Sequence, residues 1–161
     1  MSYLKKSKTI TEGTWFAVPL REKQYAIGIV ARRDTRNSSP IMFGYFFGPS
    51  RENIPNVDEL KDLSPSQAIM MARFGYLGLV EERWPIIGKD DNWNREEWSM
   101  PPFARRPILG EVSFAITYDD HNPAKSLASR RVSEEEAKQL PAEGSGGAEW
   151  IQARLLKLLN D

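Results

Sequence analysis

Ile41-Met42-Phe43-Gly44-Tyr45-Phe46-Phe47 is a strongly apolar stretch with the length and the aromatic content of a buried β-strand. Successive side chains of a strand point to opposite faces of the sheet. Phe43, Tyr45 and Phe47 therefore share one face, and Gly44 lies on the other. We expect these aromatic side chains to pack in the core, and we expect the fold to be built around this strand.

Two shorter apolar stretches precede this strand and predict a β-hairpin. They cover residues 14–20 and 25–31, and the polar residues 21–24 between them have the length of a hairpin loop. Gly28 and Gly44 lie inside neighbouring predicted strands, a pattern that favours strong curvature. We therefore predict a strongly curved, partly barrel-like antiparallel sheet.

The remaining patterns predict further strands and a few short helices. Residues 83–88 and 112–118 have strand patterns. In the second stretch we expect Val112, Phe114, Ile116 and Tyr118 to face inward and Ser113, Ala115 and Thr117 to face outward. Helix-capping signals predict helices at residues 65–73 and directly after Ser133. Residues 148–159 have helical spacing, although a strand is also compatible with them. The predicted class is α+β: a β-rich single domain over residues 1–161 with two or three short helices, a flexible start at 1–11 and a flexible hinge at 143–147.

Composition excludes several classes of protein. The chain has 161 residues, of which 40% are hydrophobic, and its 22 basic residues equal its 22 acidic residues in number. A net charge of zero argues against a general nucleic-acid binder. The chain has no cysteine and one histidine, so a disulfide scaffold and a thiolate metal site are excluded. We predict no metal and no cofactor.

No targeting pattern is recognisable. The basic start of the chain is not followed by an apolar region of signal-peptide length, and no stretch approaches the ~20 apolar residues of a membrane helix. We expect no membrane association and a cytoplasmic location.

Catalytic motifs are also missing. There is no phosphate-binding loop, no dinucleotide-binding glycine pattern and no nucleophile elbow. A hydrolase would have to use the loop with Asp119, Asp120 and His121. These residues follow a predicted strand and are typical of a turn. We predict no catalytic residues and keep a hydrolase as the second alternative.

Residues 90–100 form an aromatic and acidic loop. Trp93, Arg95 and Trp98 belong to residue types that are enriched at the centres of protein interfaces, and Asp90 and Asp91 lie beside them. These five residues are the candidate partner-binding site, with Asp119 and Asp120 as a second acidic contact. The alternative is that both tryptophans close the end of the barrel. We expect at least one of them to be partly exposed.

Several of these segments resemble a known family. Glu12-Gly13-Thr14-Trp15-Phe16-Ala17-Val18-Pro19-Leu20, followed by Tyr25-Ala26-Ile27-Gly28, resembles the opening motif of the immunity protein 26 family. Residues 78–88, which read GLVEERWPIIG, resemble its internal block around Trp84. In that block Glu81-Glu82-Arg83 replaces a glycine of the family, so the resemblance does not predict the conformation of the local turn. Residues 98–103 and 118–120 also resemble longer members.

The resemblance implies a mostly β, non-enzymatic protein of the bacterial cytoplasm. Such a protein binds and neutralises a toxin domain of a polymorphic toxin system, and a neighbouring gene would encode that toxin domain. The first alternative is a small β-barrel that binds single-stranded nucleic acid through stacked aromatics and the basic first third of the chain.

Overall fold

The structure is a computed structural model that describes residues 3–36, 39–106 and 112–160. Within them lie nine strands and four α-helices, numbered in chain order. The strands are β1 Thr14–Pro19, β2 Tyr25–Arg33, β3 Ile41–Arg51, β4 Met70–Gly75, β5 Ile86–Lys89, β6 Phe103–Arg105, β7 Ser113–Asp119, β8 Asn122–Val132 and β9 Ser145–Gly146. The helices are α1 Tyr3–Ser7, α2 Leu77–Val80, α3 Glu134–Lys138 and α4 Ala148–Asn160. Two 3₁₀ turns, Val57–Leu60 and Pro65–Gln67, connect β3 to β4.

The larger sheet has six strands in the order β5-β1-β2-β3-β4-β9. The first four pairings are antiparallel, and β9 pairs parallel to β4. The predicted strands at 14–20, 25–31 and 41–47 are therefore confirmed. β3 extends beyond its predicted end at residue 47 and runs from Ile41 to Arg51.

The partly barrel-like curvature is not supported, because neither sheet closes within the described residues. The presence of Gly28 in β2 and Gly44 in β3 has another physical reason. A Cβ on Gly28 would lie 2.5 Å from Phe16 Cε2, and a Cβ on Gly44 would lie 2.6 Å from the carbonyl oxygen of Ile29. Glycine at these positions makes room for close packing rather than for closure of a barrel.

Both faces of the large sheet are buried, which makes β2 and β3 apolar on both sides. One face packs against α4, and its core contains Phe16, Val30, Phe46, Phe74, Trp84, Ile151 and Leu155. The other face packs against the smaller sheet, and its core contains Trp15, Ile29, Phe43, Tyr45, Phe47, Phe103, Ile116 and Tyr118. The predicted aromatic face of β3 is thus confirmed.

The smaller sheet has the order β6-β7-β8. The strand predicted at 112–118 is confirmed as β7, and Ile116 and Tyr118 face the core. Phe114 packs against the same cluster but is only half-buried. Three residues differ from the expected alternation: Val112 is 36% exposed rather than inward, and Ser113 and Ala115 are buried rather than outward. Ala115 is buried because Ala137 of α3 packs against that side of the sheet.

The two sheets are also joined by Arg73 of β4. Its guanidinium lies 3.8 Å from the centre of the Tyr118 ring. It donates hydrogen bonds to the carbonyl oxygens of Pro123 at 2.8 Å and Glu143 at 2.7 Å. One buried cation therefore holds β4, β7, the start of β8 and the segment before β9 together.

The prediction of a helix at residues 65–73 is wrong. The capping signal is real, since the Ser64 N–H donates to the Gln67 side chain at 2.8 Å. It caps only a 3₁₀ turn, and from Met70 the chain pairs with β3 as β4. Pairing along a long apolar neighbour outweighs the local helical signal.

The other helix predictions are confirmed. The Ser133 hydroxyl accepts a hydrogen bond from the Glu136 N–H at 3.0 Å and begins α3. The C-terminal segment is the helix α4, which packs its apolar side against the large sheet.

Two segments predicted as flexible contain defined elements. Residues 143–147 include β9, which is paired with β4. Residues 3–11 include α1, and Ile10 is buried. The Arg33 guanidinium donates to the carbonyl oxygen of Ile10 at 2.8 Å, which ties this segment to β2.

Candidate functional site

The loop between β5 and β6 is fixed to the core by Trp98. Its ring packs edge-on against Trp15, with centroids 6.0 Å apart, and against Tyr45, with centroids 5.2 Å apart. The Trp98 side chain is only 4% exposed. Trp98 therefore positions the loop, and it offers little surface to a partner.

Trp93 is the more exposed of the two tryptophans in this loop. It stacks on Trp98 with centroids 5.8 Å apart and planes 27° apart, and it remains half-buried. Its other neighbour is Gly13, where a Cβ would lie 2.9 Å from Trp93 Cγ and where φ is +89°. The expectation that one of the two tryptophans is partly exposed is met by Trp93.

Arg95 links this loop to two distant segments. Its Nε donates to Glu12 Oε1 at 2.9 Å, and its Nη1 donates to Asp120 Oδ2 at 2.8 Å. Asp120 also accepts from Nε of Arg32 at 2.7 Å, and Arg32 is only 3% exposed. Arg95 and Asp120, which the sequence analysis names as separate partner contacts, are thus brought together in an ion network within the chain, with the Asp120 side chain 51% exposed.

The network controls the ionisation of Asp120. Partial burial would raise the pKa of its carboxyl, but the hydrogen bonds and charges of Arg32 and Arg95 outweigh burial and hold the pKa below its ordinary value. The charged form is therefore the one that the fold stabilises. Asp120 serves as an anion that joins the β7–β8 turn to β2 and the tryptophan loop.

We expect Asp120→Asn to lower the free energy of unfolding by about 1–3 kcal/mol, since it removes the carboxylate that pairs with a buried guanidinium. Asp119→Asn is the matched control, because Asp119 accepts from the His121 N–H at 2.8 Å and begins the same turn. The control should cost less than about 1 kcal/mol. Urea denaturation measures both values, and equal losses would contradict a specific role of Asp120.

The free energy of unfolding should also depend on pH. The Glu143 carboxyl has a lowered pKa, first because Arg105 donates to it and then because Tyr118 does, with burial acting against them. A carboxyl whose pKa is lower in the folded than in the unfolded chain stabilises the fold at every pH above its unfolded pKa, which is 3.8 for Asp and 4.5 for Glu. That contribution is lost as the pH falls through the folded pKa. We expect the free energy of unfolding to fall below about pH 5, and Asp120→Asn to reduce that slope. An unchanged slope in the variant would contradict the assignment.

Acidic side chains gather beside the tryptophan loop. A cavity of about 430 Å³ is lined by Asp62, Asp90, Glu97, Trp98 and the segment at residues 61–65. The pKa of Lys61 is raised, mainly by its hydrogen bond to Asp58 and further by the charges of Asp91 and Asp90. These acids therefore lie close enough to share one electrostatic field. We call this set the acidic surface: Asp58, Asp62, Asp90, Asp91 and Glu97.

The predicted residues therefore divide into two groups, with Asp119 apart from both. Asp90 and Asp91 lie on the acidic surface, with half-buried Trp93 on the same loop. Arg95, Trp98 and Asp120 have internal partners that hold this loop in place. Asp119 caps the turn in which His121 is exposed. The sequence analysis did not identify Asp58, Asp62 or the network residues Glu12 and Arg32. For Arg32 a signal was available, because an arginine in the otherwise apolar strand β2 indicates a buried ion pair.

The carboxylates of the acidic surface are not arranged to share a metal ion. Within residues 3–36, 39–106 and 112–160, no group of three or more His, Cys, Asp or Glu side chains is arranged to hold a metal ion. None of the described helices is long and apolar enough to span a membrane.

Comparison with known proteins identifies a family for this chain. The family model described as immunity protein 26 matches residues 11–111. No curated protein and no solved structure gives a significant match. The matched stretch contains the acidic surface, Trp93 and the network residues Glu12, Arg32 and Arg95. The β7–β8 turn with Asp120, and the helix α4, lie beyond it.

Proposed function

Because the chain belongs to the immunity protein 26 family, we propose that it binds and neutralises a toxin domain of a bacterial polymorphic toxin system without catalysing a reaction. The family match over residues 11–111 is the observation that carries this proposal. We further propose that the toxin is encoded by a neighbouring gene and that the encounter takes place in the cytoplasm.

The acidic surface is the proposed contact with the toxin. Toxins that cleave nucleic acid need a basic substrate site, and a patch of opposite charge on the neutralising protein speeds encounter and excludes wrong partners. Five carboxylates around Lys61 supply such a patch, and Lys61 is itself paired with Asp58 at 2.9 Å. We therefore propose a toxin domain with a basic surface as the partner.

Trp93 is the proposed apolar contact at the side of this patch. It is already positioned by stacking on Trp98, so little side-chain entropy is lost when a partner covers its exposed part. The Arg95 network holds the loop in the same place before the partner arrives. A preformed surface of this kind lowers the cost of association.

Neither alternative function gains a supporting observation. A strand of nucleic acid would meet carboxylates beside the tryptophan loop, and phosphates are repelled by such a patch. In the proposed hydrolase loop, Asp120 is held by Arg32 and Arg95, and Asp119 caps the turn. Both carboxylates are thus accounted for by the fold.

A protection assay tests the proposal. The toxin domain encoded beside this chain is expressed from an inducible promoter, with the chain or with an unrelated immunity protein on a second plasmid. We expect survival only with the chain. Cell death in the presence of abundant, folded chain would contradict the proposed function.

A further inference from the structure

A second cavity adjoins the cavity at the acidic surface. It has a volume of about 670 Å³ and runs between β4, β6, residues 139–144 and α4. Pro65 lines both cavities. We call this second cavity the Trp150 groove. Its size falls within the range of pockets that bind small ligands or short peptide segments.

The floor of the groove is apolar. Ile69, Met70, Leu140, Trp150 and Leu158 contribute to its lining. Ile69 is 38% exposed and Leu158 is 47% exposed, which is high for large aliphatic side chains. Large apolar side chains that are exposed inside a concave site can be covered by an apolar side chain of a partner.

The charges along the groove are positive and partly unpaired. Arg105 is neutralised by Glu143, to which its Nε and Nη2 each donate at 2.6 Å, and Tyr118 donates to the same carboxylate at 2.7 Å. Arg106 and Arg154 have no carboxylate partner among the residues that the structure describes. Arg154 lies over the Trp150 ring at 5.0 Å. Two arginines of the groove are therefore not neutralised by any carboxylate of the described residues and suit a negative ligand.

The walls of the groove are set by close packing. A Cβ on Gly146 would lie 2.1 Å from Cε3 of Trp150, so glycine lets β9 contact the indole directly. A Cβ on Gly48 would lie 2.5 Å from Cδ2 of Leu159. Both contacts hold α4 against the sheet, so Trp150 and Arg154 are presented from a fixed helix. A site on packed elements is more precise than one on a free loop.

We propose that the Trp150 groove binds an acidic, apolar segment of a partner protein. An aliphatic or aromatic side chain of that segment covers the floor at Ile69 and Leu158, and its carboxylates pair with the guanidinium groups of Arg106 and Arg154. Arginine suits this role because its planar fork pairs with carboxylates through two hydrogen bonds. The charge is opposite to that of the acidic surface, so the groove selects a different kind of contact.

The test uses a fluorescein-labelled peptide of sequence Glu-Leu-Asp-Phe-Glu and fluorescence polarisation with the full chain. We expect saturable binding, weakened at least tenfold in the double variant Arg106→Glu/Arg154→Glu, which corresponds to about 1.4 kcal/mol. The matched control is Lys125→Glu/Arg131→Glu, which makes the same change of net charge at two exposed positions of β8. The control should bind within about twofold of the original chain.

A second readout uses the unmodified chain, so it does not depend on the folding of a variant. In the chain labelled with ¹⁵N, the indole N–H signal of Trp150 should shift as the acidic peptide is added, and a Lys-Leu-Lys-Phe-Lys peptide should leave it in place. Absence of saturable binding, equal weakening in both double variants, or an unmoved Trp150 signal would each overturn the proposal. The toxin plays no part in this experiment, so its result is independent of the proposed function.

Discussion

Phe16→Ala is expected to lower the free energy of unfolding by about 3–5 kcal/mol, a large part of the stability of a small domain. Phe16 lies in the middle of β1 and is completely buried. Its ring stacks on Trp84 with centroids 5.5 Å apart and planes 6° apart, and it contacts Phe46 and Phe74 at 5.8 and 5.9 Å. Rings fixed on three separate segments cannot collapse into the cavity, so most of the lost contact energy is not recovered.

Urea denaturation followed by tryptophan fluorescence and by circular dichroism measures this loss. Leu127→Ala is the control, because Leu127 is 57% exposed on β8. It should change stability by no more than about 0.5 kcal/mol. A loss below about 1 kcal/mol for Phe16→Ala would show that the face of the sheet covered by α4 is not packed as described.

The second large effect concerns the acidic surface. The triple variant Asp90→Asn/Asp91→Asn/Glu97→Gln should bind the toxin domain about 100-fold more weakly, because it removes three of the five carboxylates while keeping side-chain size. Much of the change should lie in the association rate. That rate should fall with rising salt for the original chain and change less with salt for the variant.

The matched control is Glu22→Gln/Glu52→Gln/Glu135→Gln, three exposed acids away from the acidic surface with the same change of net charge. It should leave both the affinity and the salt dependence nearly unchanged. Surface plasmon resonance at several salt concentrations measures these rates. If both triple variants bound as tightly as the original chain, the toxin contact would have to be placed elsewhere.

The central strands could be predicted from sequence because their signals are local. Alternating aromatics in β3 and a short polar loop between β1 and β2 determine strands and a hairpin without reference to the rest of the chain. The capping signal at Ser64 was equally local, but the pairing of Met70–Gly75 with β3 is not, and the pairing prevailed. Glycines in β2 and β3 were interpreted as curvature because the rings that fill the space beside them come from other strands.

The candidate site was predictable only in part, for a related reason. The composition of residues 90–100 indicated an interface, and Trp93 is half-buried as expected. Which of the loop residues hold the loop and which face outward depends on Glu12 and Asp120, which lie 83 and 25 positions away from Arg95. The acids Asp58 and Asp62 join the surface through the 3₁₀ turns before β4, and nothing in their local sequence indicates it.

The most direct test of the proposed function is a titration of the purified toxin domain with the purified chain. The remaining toxin activity and the mass of the toxin are measured at each ratio. We predict that activity falls in proportion to added chain, reaches background at a fixed molar ratio, and returns when the complex is dissociated, while the mass of the toxin stays unchanged. Full toxin activity in the presence of excess folded chain would contradict toxin neutralisation, and a lasting change in the mass of the toxin would contradict neutralisation by binding alone.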